Sequence, residues 1–343
     1  MVEKICTIAI DAMGGDSAPA MVIAGLDSVY DFLCDSGVSL LLFGQRDKLE
    51  PLMARHPRLA SIAEVVDAPD VVSGDDKPSR VIRSGRSTSM WMAIESVKSG
   101  RADAVVSAGN TGCLMGISKL LISMISGIKR PAISTLLPTV KGNQMVMLDL
   151  GANSECDETN IFQFAIMGSA YAQAVGIKRP KVAVLNIGSE AGKGFPYLNA
   201  ADEMIRGVAG KLSFEYAGFA EGDDIFHDKV DVIATDGFSG NIALKTLEGT
   251  VKFVASGVKD LIRSSWLAKI GALFMLGGLK RFKNRYDPRK YNGAVLLGLD
   301  GIVVKSHGGT DAYGFSRAVC YAVDLVVGNF VTRVKDEIAR LEE

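Results

Sequence analysis

The sequence predicts a three-layer α/β/α fold around a mostly parallel sheet, and three observations lead there. Short apolar strand-like runs alternate with helical patterns along nearly all of its 343 residues. Glycine-rich polar loops follow many of those runs, as they do where parallel strands feed helices. No repeat or low-complexity linker interrupts the alternation. With 48% hydrophobic residues the chain can bury one large core or two medium ones. We read residues 1–343 as a single α/β domain with a protruding helical segment at about 240–290.

The first strand is read over Lys4–Ile10, running directly into Asp11-Ala12-Met13-Gly14-Gly15-Asp16. Ser17 is then a candidate N-cap and Pro19 a favoured first-turn residue. Further strand-like runs fall at Ser39–Phe43, Ala63–Val66, Ala104–Ser107, Ile133–Leu137, Met145–Leu150, Lys181–Ile187, Val230–Ala234 and Ala294–Leu297. Helical patterns cover Gly44–Arg55, Gly112–Ser126, Thr159–Val175 and Leu198–Gly210. A longer helix follows, on which Leu244, Leu247, Val251, Val254, Val258 and Leu261 step by three and four. Core packing accounts for such a stripe, and a subunit interface is the alternative because it outruns a usual domain face.

Composition excludes several classes. A formal net charge of −1 gives no electrostatic case for nucleic acid. The five cysteines (Cys6, Cys34, Cys113, Cys156 and Cys320) form no CxxC pair, which fits reduced thiols in a cytoplasm. No basic stretch followed by an apolar one opens the sequence, so no signal peptide is expected, and the apolar stretches Leu114–Ile128 and Gly293–Val304 are broken by Lys119 and Asp300. Three histidines without HExxH leave zinc little support, so no metal is expected.

Five loops could carry chemistry: Asp11–Asp16, Ser107–Gly112, Leu150–Asn153, Asn186–Gly194 and Thr235–Asn241. After parallel strands they would meet at one edge, lined by backbone N–H groups, amides and Lys193. The run Gly188–Lys193 is not a P-loop. Its glycines are too close, and Gly194 stands where a magnesium-binding hydroxyl should be. No GxGxxG opens a helix either, so no nucleotide cofactor is expected. What remains is an anion such as phosphate, or the phosphopantetheine arm of an acyl carrier.

Lys193, a flexible point charge between glycines, suits a phosphate oxygen or a developing oxyanion; a solvated loop lysine is the plain alternative. Asn110 and Asn241 are candidate donors or simple caps, and Asp11 and Asp236 are orienting groups or Asx-turns. Asp16, Gly14, Gly15, Gly109, Thr111, Gly112, Asn153, Gly192, Gly194, Gly237, Ser239 and Gly240 complete the candidate phosphate and acyl rim. His307 is a general acid, a donor to phosphate or a structural histidine. Cys113, in the first turn after Asn110, is a small buried residue or a thiolate activated by the helix dipole.

Side by side, these blocks resemble the bacterial phosphate acyltransferase family of phospholipid synthesis. The matching segments are IDAMGGD, VSAGNTG, LDLGAN, NIGSEAGKG, EGDDIF, TDGFSGNIALKTLEG and YNGAVLLGLDGIVVKSHG, in that order from Ile10 to Gly308. Cys113 departs from the small residue expected after AGNTG, which argues against an acyl-cysteine intermediate. The resemblance implies transfer of a long-chain fatty acyl group from acyl carrier protein to inorganic phosphate, without a cofactor. It also implies a homodimer, a fold similar to phosphotransacetylases and isocitrate or isopropylmalate dehydrogenases, and delivery of acyl phosphate to a membrane glycerol-3-phosphate acyltransferase. Two other readings stay open, a CoA-dependent short-chain phosphotransacetylase and a non-catalytic membrane scaffold.

Ser264 to Lys290 is the last informative segment. Trp266, Leu267, Ile270 and Phe274 form an apolar wedge, and Lys280, Arg281 and Lys283 form a basic flank. Such a segment suits an anionic membrane surface or the acidic carrier. A buried hairpin with a solvated basic end is the plain alternative; with the resembled family in view, a peripheral membrane contact is the expectation.

Overall fold

The computed structural model describes residues 6–190, 192–285 and 287–342. Eleven strands form one sheet: β1 (Cys6–Asp11), β2 (Val38–Gly44), β3 (Ala63–Asp67), β4 (Ala104–Ser107), β5 (Ala132–Pro138), β6 (Gln144–Leu148), β7 (Lys181–Leu185), β8 (Glu215–Ala220), β9 (Val232–Ala234), β10 (Ala294–Leu297) and β11 (Ile302–Lys305). The first helices are α1 (Ala20–Ser28), α2 (Tyr30–Asp35), α3 (Arg46–Met53), α4 (Pro78–Ser84), α5 (Ser89–Lys98) and α6 (Thr111–Leu121). After them come α7 (Glu158–Ala174), α8 (Pro196–Gly207), α9 (Gly237–Arg263), α10 (Trp266–Phe274), α11 (Leu276–Arg285), α12 (Ala312–Val327) and α13 (Phe330–Glu342).

Three layers result because both sheet faces are apolar. Ile8 and Ile10 of β1 enter one core, with α1, α7 and α12, while Ala9 between them enters another, with α5 and α6. The same alternation repeats in β2, β4 and β11. On the second face a third core forms around Met145, Met147 and Ile233.

The strand order is β3-β2-β1-β4-β11-β10-β5-β6-β9-β7-β8. Strands β1 to β4 and β11 run parallel, and β6, β9, β7 and β8 run parallel to one another. Between these groups β10 pairs antiparallel with both β11 and β5, and β5 with β6. Three reversals therefore point the two parallel groups in opposite directions. The sheet is mostly parallel, yet the five candidate loops cannot all leave one edge.

Local corrections have local causes. Helix α1 starts at Ala20, with Pro19 in the cap position and no side-chain cap, so Ser17 is not the N-cap. Lys4 and Ile5 of the expected first strand lie outside the described residues. Helix α6 stops at Leu121 rather than Ser126 because the chain turns to bond Gly298 and Asp300, through Ile125 N and Ser123 O. The apolar stripe on α9 is core for only part of its length. Leu244 and Leu247 pack on the third core, whereas Val251, Val254, Val258 and Leu261 are exposed. At 1.5 Å per residue the 27-residue helix is about 40 Å long, so its second half projects as an arm.

Candidate active site

In an open α/β sheet, ligands bind beyond the carboxyl ends of strands where the winding reverses. Each parallel group has such a point. One lies between β1 and β4, the other between β7 and β9, at opposite edges of the sheet. The five loops expected at one rim are thus divided. Asp11, Gly14, Gly15, Asp16, Gly109, Asn110, Thr111, Gly112 and His307 border the first crevice. Asn153, Gly192, Lys193, Gly194, Asp236, Gly237, Ser239, Gly240 and Asn241 border the second.

The first crevice is tightly knit. Asp11 is buried at the end of β1, accepting from Ser89 Oγ and Ser107 Oγ, each at 2.6 Å. Burial raises its pKa despite those hydroxyls, which favour the charged form. Asp16 N donates to Gly308 O at 3.0 Å and Ser306 N to Ser107 O at 2.9 Å, sewing three loops together. A Cβ on Gly14 would sit 2.6 Å from both Asp11 Oδ2 and Gly109 N, so only glycine fits. Asn110 has no free amide group. Its Oδ1 accepts from Cys113 N at 3.0 Å, and its Nδ2 donates to Gly74 O and Asp76 O. It is an N-cap and a loop tie. Thr111 and Gly112 open α6, both exposed. Cys113 is buried, its Sγ 3.5 Å from Asp76 O, and burial with the Asp76 charge pushes its pKa up. Of the two readings of Cys113, the small buried residue holds and the dipole-lowered thiolate does not: desolvation outweighs the helix end. His307 is exposed, with Nδ1 accepting from Gly309 N at 3.1 Å.

Sequence reasoning missed Lys305 at this crevice. Its Nζ donates to Ala108 O and Ser306 O, and burial lowers its pKa to about 8 although Asp11 and Asp16 favour the charged amine. The signal was a lysine closing an apolar strand. Unfolded, this amine holds its proton up to about pH 10.4, so its contribution to stability should rise with pH across the interval above about 8. Acetylation of Lys305 in the native protein should therefore reach half its maximal rate near pH 8. Half-maximal labelling near that of a free lysine would refute the burial argument.

The second crevice is built on Asp149, also missed because it falls inside a run read as strand. Fully buried, its carboxylate accepts from Ile133 N at 2.9 Å, Gly151 N at 3.1 Å, Ala152 N at 3.0 Å, and Asn153 N and Nδ2, each at 2.8 Å. These bonds set the loop against α9, where Gly237 N donates to Asn153 O at 2.8 Å. A Cβ on Gly237 would come within 2.8 Å of Asp149 Oδ2, and one on Gly240 would collide with the Asp149 carbonyl. Asp236 caps α9 through Ser239 N at 2.8 Å and accepts from Tyr197 Oη at 3.2 Å. Burial, then the Asp236 charge, raises the Tyr197 pKa and keeps it a donor.

Asn241 lies inside α9 rather than before it, so it is not a cap. It is exposed beside Gly151. Lys193 protrudes from a loop whose backbone is pinned: Asn186 Nδ2 and Asn199 Nδ2 both donate to Lys193 O at 3.0 Å. Gly192 and Gly194 flank it at φ +84 and +77. The Lys193 Nζ has a loose ion pair with Glu190 at 3.8 Å, and both side chains are more than half exposed. Such a pair contributes little, so an incoming anion can replace Glu190. Nearby Cys156 is held as a thiol, burial raising its pKa to about 11. Among the described residues no group of His, Cys, Asp and Glu could hold a metal ion.

Comparison with known proteins identifies the family. Residues 6–333 match the family described as Fatty acid synthesis protein. The chain is 49% identical to Phosphate acyltransferase of Paramagnetospirillum magneticum, covering 98% of this chain and 95% of that one. It is likewise 49% identical to Phosphate acyltransferase of Rhodospirillum centenum, covering 100% and 95%. A phosphotransacetylase from Streptococcus pyogenes superposes with TM-score 0.62 at 17% identity over 94% of both chains, which speaks for the fold alone. A family match over residues 6–333 and near-complete coverage of relatives at 49% identity lead to one conclusion: the chain belongs to the phosphate acyltransferase family and is an acyltransferase.

Proposed function

We propose that this enzyme transfers a long-chain fatty acyl group from acyl carrier protein to inorganic phosphate, at the crevice between β7 and β9. The observation that carries this reading is Lys193, a weakly paired cation held out on a pinned glycine loop at a winding reversal. A phosphate oxygen attacks the thioester carbonyl carbon, the C–S bond breaks, and acyl phosphate and a thiol result once the sulfur gains a proton. Phosphate is already an anion, so the step needs positioning and oxyanion donors rather than an activated side-chain nucleophile. Lys193 and Asn241 supply these donors, with Asp149, Asn153 and Asp236 fixing the loops around them.

Histidine placement supports direct attack. His56 pairs with Asp27 at 3.1 Å, His227 Nδ1 lies 2.7 Å from Asp223 O, and His307 bonds Gly309. None of these contacts is to a serine or cysteine, so no serine–histidine or cysteine–histidine pair stands assembled among the described residues. Incubation with acyl carrier thioester and phosphate should give a phosphate-dependent product that hydroxylamine captures, with no acylated enzyme by intact mass. An acyl-enzyme, or turnover confined to short-chain CoA thioesters, would sink the reading.

The arm supports peripheral membrane contact by a cytoplasmic homodimer that passes acyl phosphate to a membrane glycerol-3-phosphate acyltransferase. Trp266 and Phe274 are 68% and 89% exposed, with Leu267 and Ile270 beside them on α10 and Lys280 and Arg281 on α11. The Lys283 side chain lies outside the described residues. No single described helix is long and apolar enough to cross a membrane. Flotation on anionic vesicles should therefore be salt-sensitive and lost in Trp266→Ser/Phe274→Ser; wild-type protein that stays in the unbound fraction at low salt would refute membrane contact.

A further inference from the structure

Four large apolar side chains stand in water around the Lys193 crevice: Ile187, Phe195, Phe238 and Ile242, at 78%, 63%, 63% and 50% exposure. Single exposed apolar residues are ordinary, but a group ringing a charged crevice marks a binding surface. Ile187 follows Asn186, which ties Lys193. Phe195 stacks on Tyr197 at 5.7 Å, and the Tyr197 hydroxyl reaches Asp236. Phe238 and Ile242 follow Asp236 on α9, four residues apart and so on one helix face.

We propose that Ile187, Phe195, Phe238 and Ile242 form the footing for the acyl chain, seating its methylenes beside the thioester held at Lys193. The inference rests on the reaction proposed above and adds the side chains that read the substrate's length. The ligand they fit has a compact anionic or carbonyl head and an extended hydrocarbon tail. Phosphate alone would leave the four residues wet, and a short acyl group would cover few of them. A long chain buries them along with its own methylenes, and that mutual burial is the driving force.

The test compares palmitoyl and butyryl carrier thioesters as donors to phosphate. Phe238→Ser/Ile242→Ser should lower kcat/KM for the palmitoyl donor at least about tenfold while the butyryl donor changes little. Ile187→Ser, on the opposite loop, should move the same ratio in the same direction, which guards against misfolding of one variant. An equal loss for both donors, or no loss, overturns the footing. So does a changed oligomeric state in the variants, because the patch would then be covered by a second copy. A wild-type enzyme that passes neither donor to phosphate defeats the proposed reaction itself, and the footing with it.

Discussion

Lys193→Ala is expected to lower kcat by roughly 10²–10³-fold, the range seen when one oxyanion donor is removed, while urea unfolding stays unchanged. Both halves follow from geometry. The amine protrudes, so its truncation leaves no cavity and strands no buried partner. What holds the loop is the Lys193 carbonyl, gripped by Asn186 and Asn199, and alanine keeps that carbonyl. Lys193→Arg should retain part of the activity, because charge survives but the compact ammonium does not. Near-normal turnover in Lys193→Ala would remove this residue from the mechanism.

Asp149→Ala should cost about 3–5 kcal/mol of stability, because hydrogen bonds to a charged group contribute about 1.5–3 kcal/mol each and several are lost together. Five donors surround that carboxylate, four of them backbone N–H groups that no side-chain change can remove. Left without that acceptor, the buried Asn153 N–H is a desolvated polar group, and the half-buried N–H groups of Ile133 and Ala152 lose their partner with it. Asp149→Asn keeps one acceptor oxygen and should recover part of the loss. Urea denaturation gives the values, and a cost below about 1 kcal/mol would show that the network is not what fixes the loop.

Legibility followed burial. Runs such as Leu40–Phe43 and Val105–Val106 read as strands because both faces are covered, which leaves an unbroken apolar signature. Strand β8 escaped because it lies at the sheet edge, exposes Glu215 and Ala217, and carries Gly218 at φ +83. Strand β11 was hidden in one apolar stretch with β10, since the turn at Gly298–Gly301 is short. Strand direction was the larger miss. Periodicity says nothing about direction, yet a clue stood between β5 and β6: Val140-Lys141-Gly142-Asn143, closed by Thr139 N to Asn143 O with Gly142 at φ +94, is a hairpin turn. Reading it would have reversed the second group and split the loops in advance. At the proposed site, Lys193 and Asn241 are legible as polar groups beside glycine, whereas Asn110 carries the same signature and is spent on capping.

Late in the chain, β10 and β11 fill the gap between β4 on one side and β5 on the other. On a translating ribosome both flanking strands are finished long before their neighbours exist. Each nascent half therefore waits with an unpaired backbone ribbon at what will become the middle of the molecule, the feature that invites intermolecular β-pairing. A polypeptide arrested ahead of Lys305 should need chaperone shielding that the finished enzyme does not.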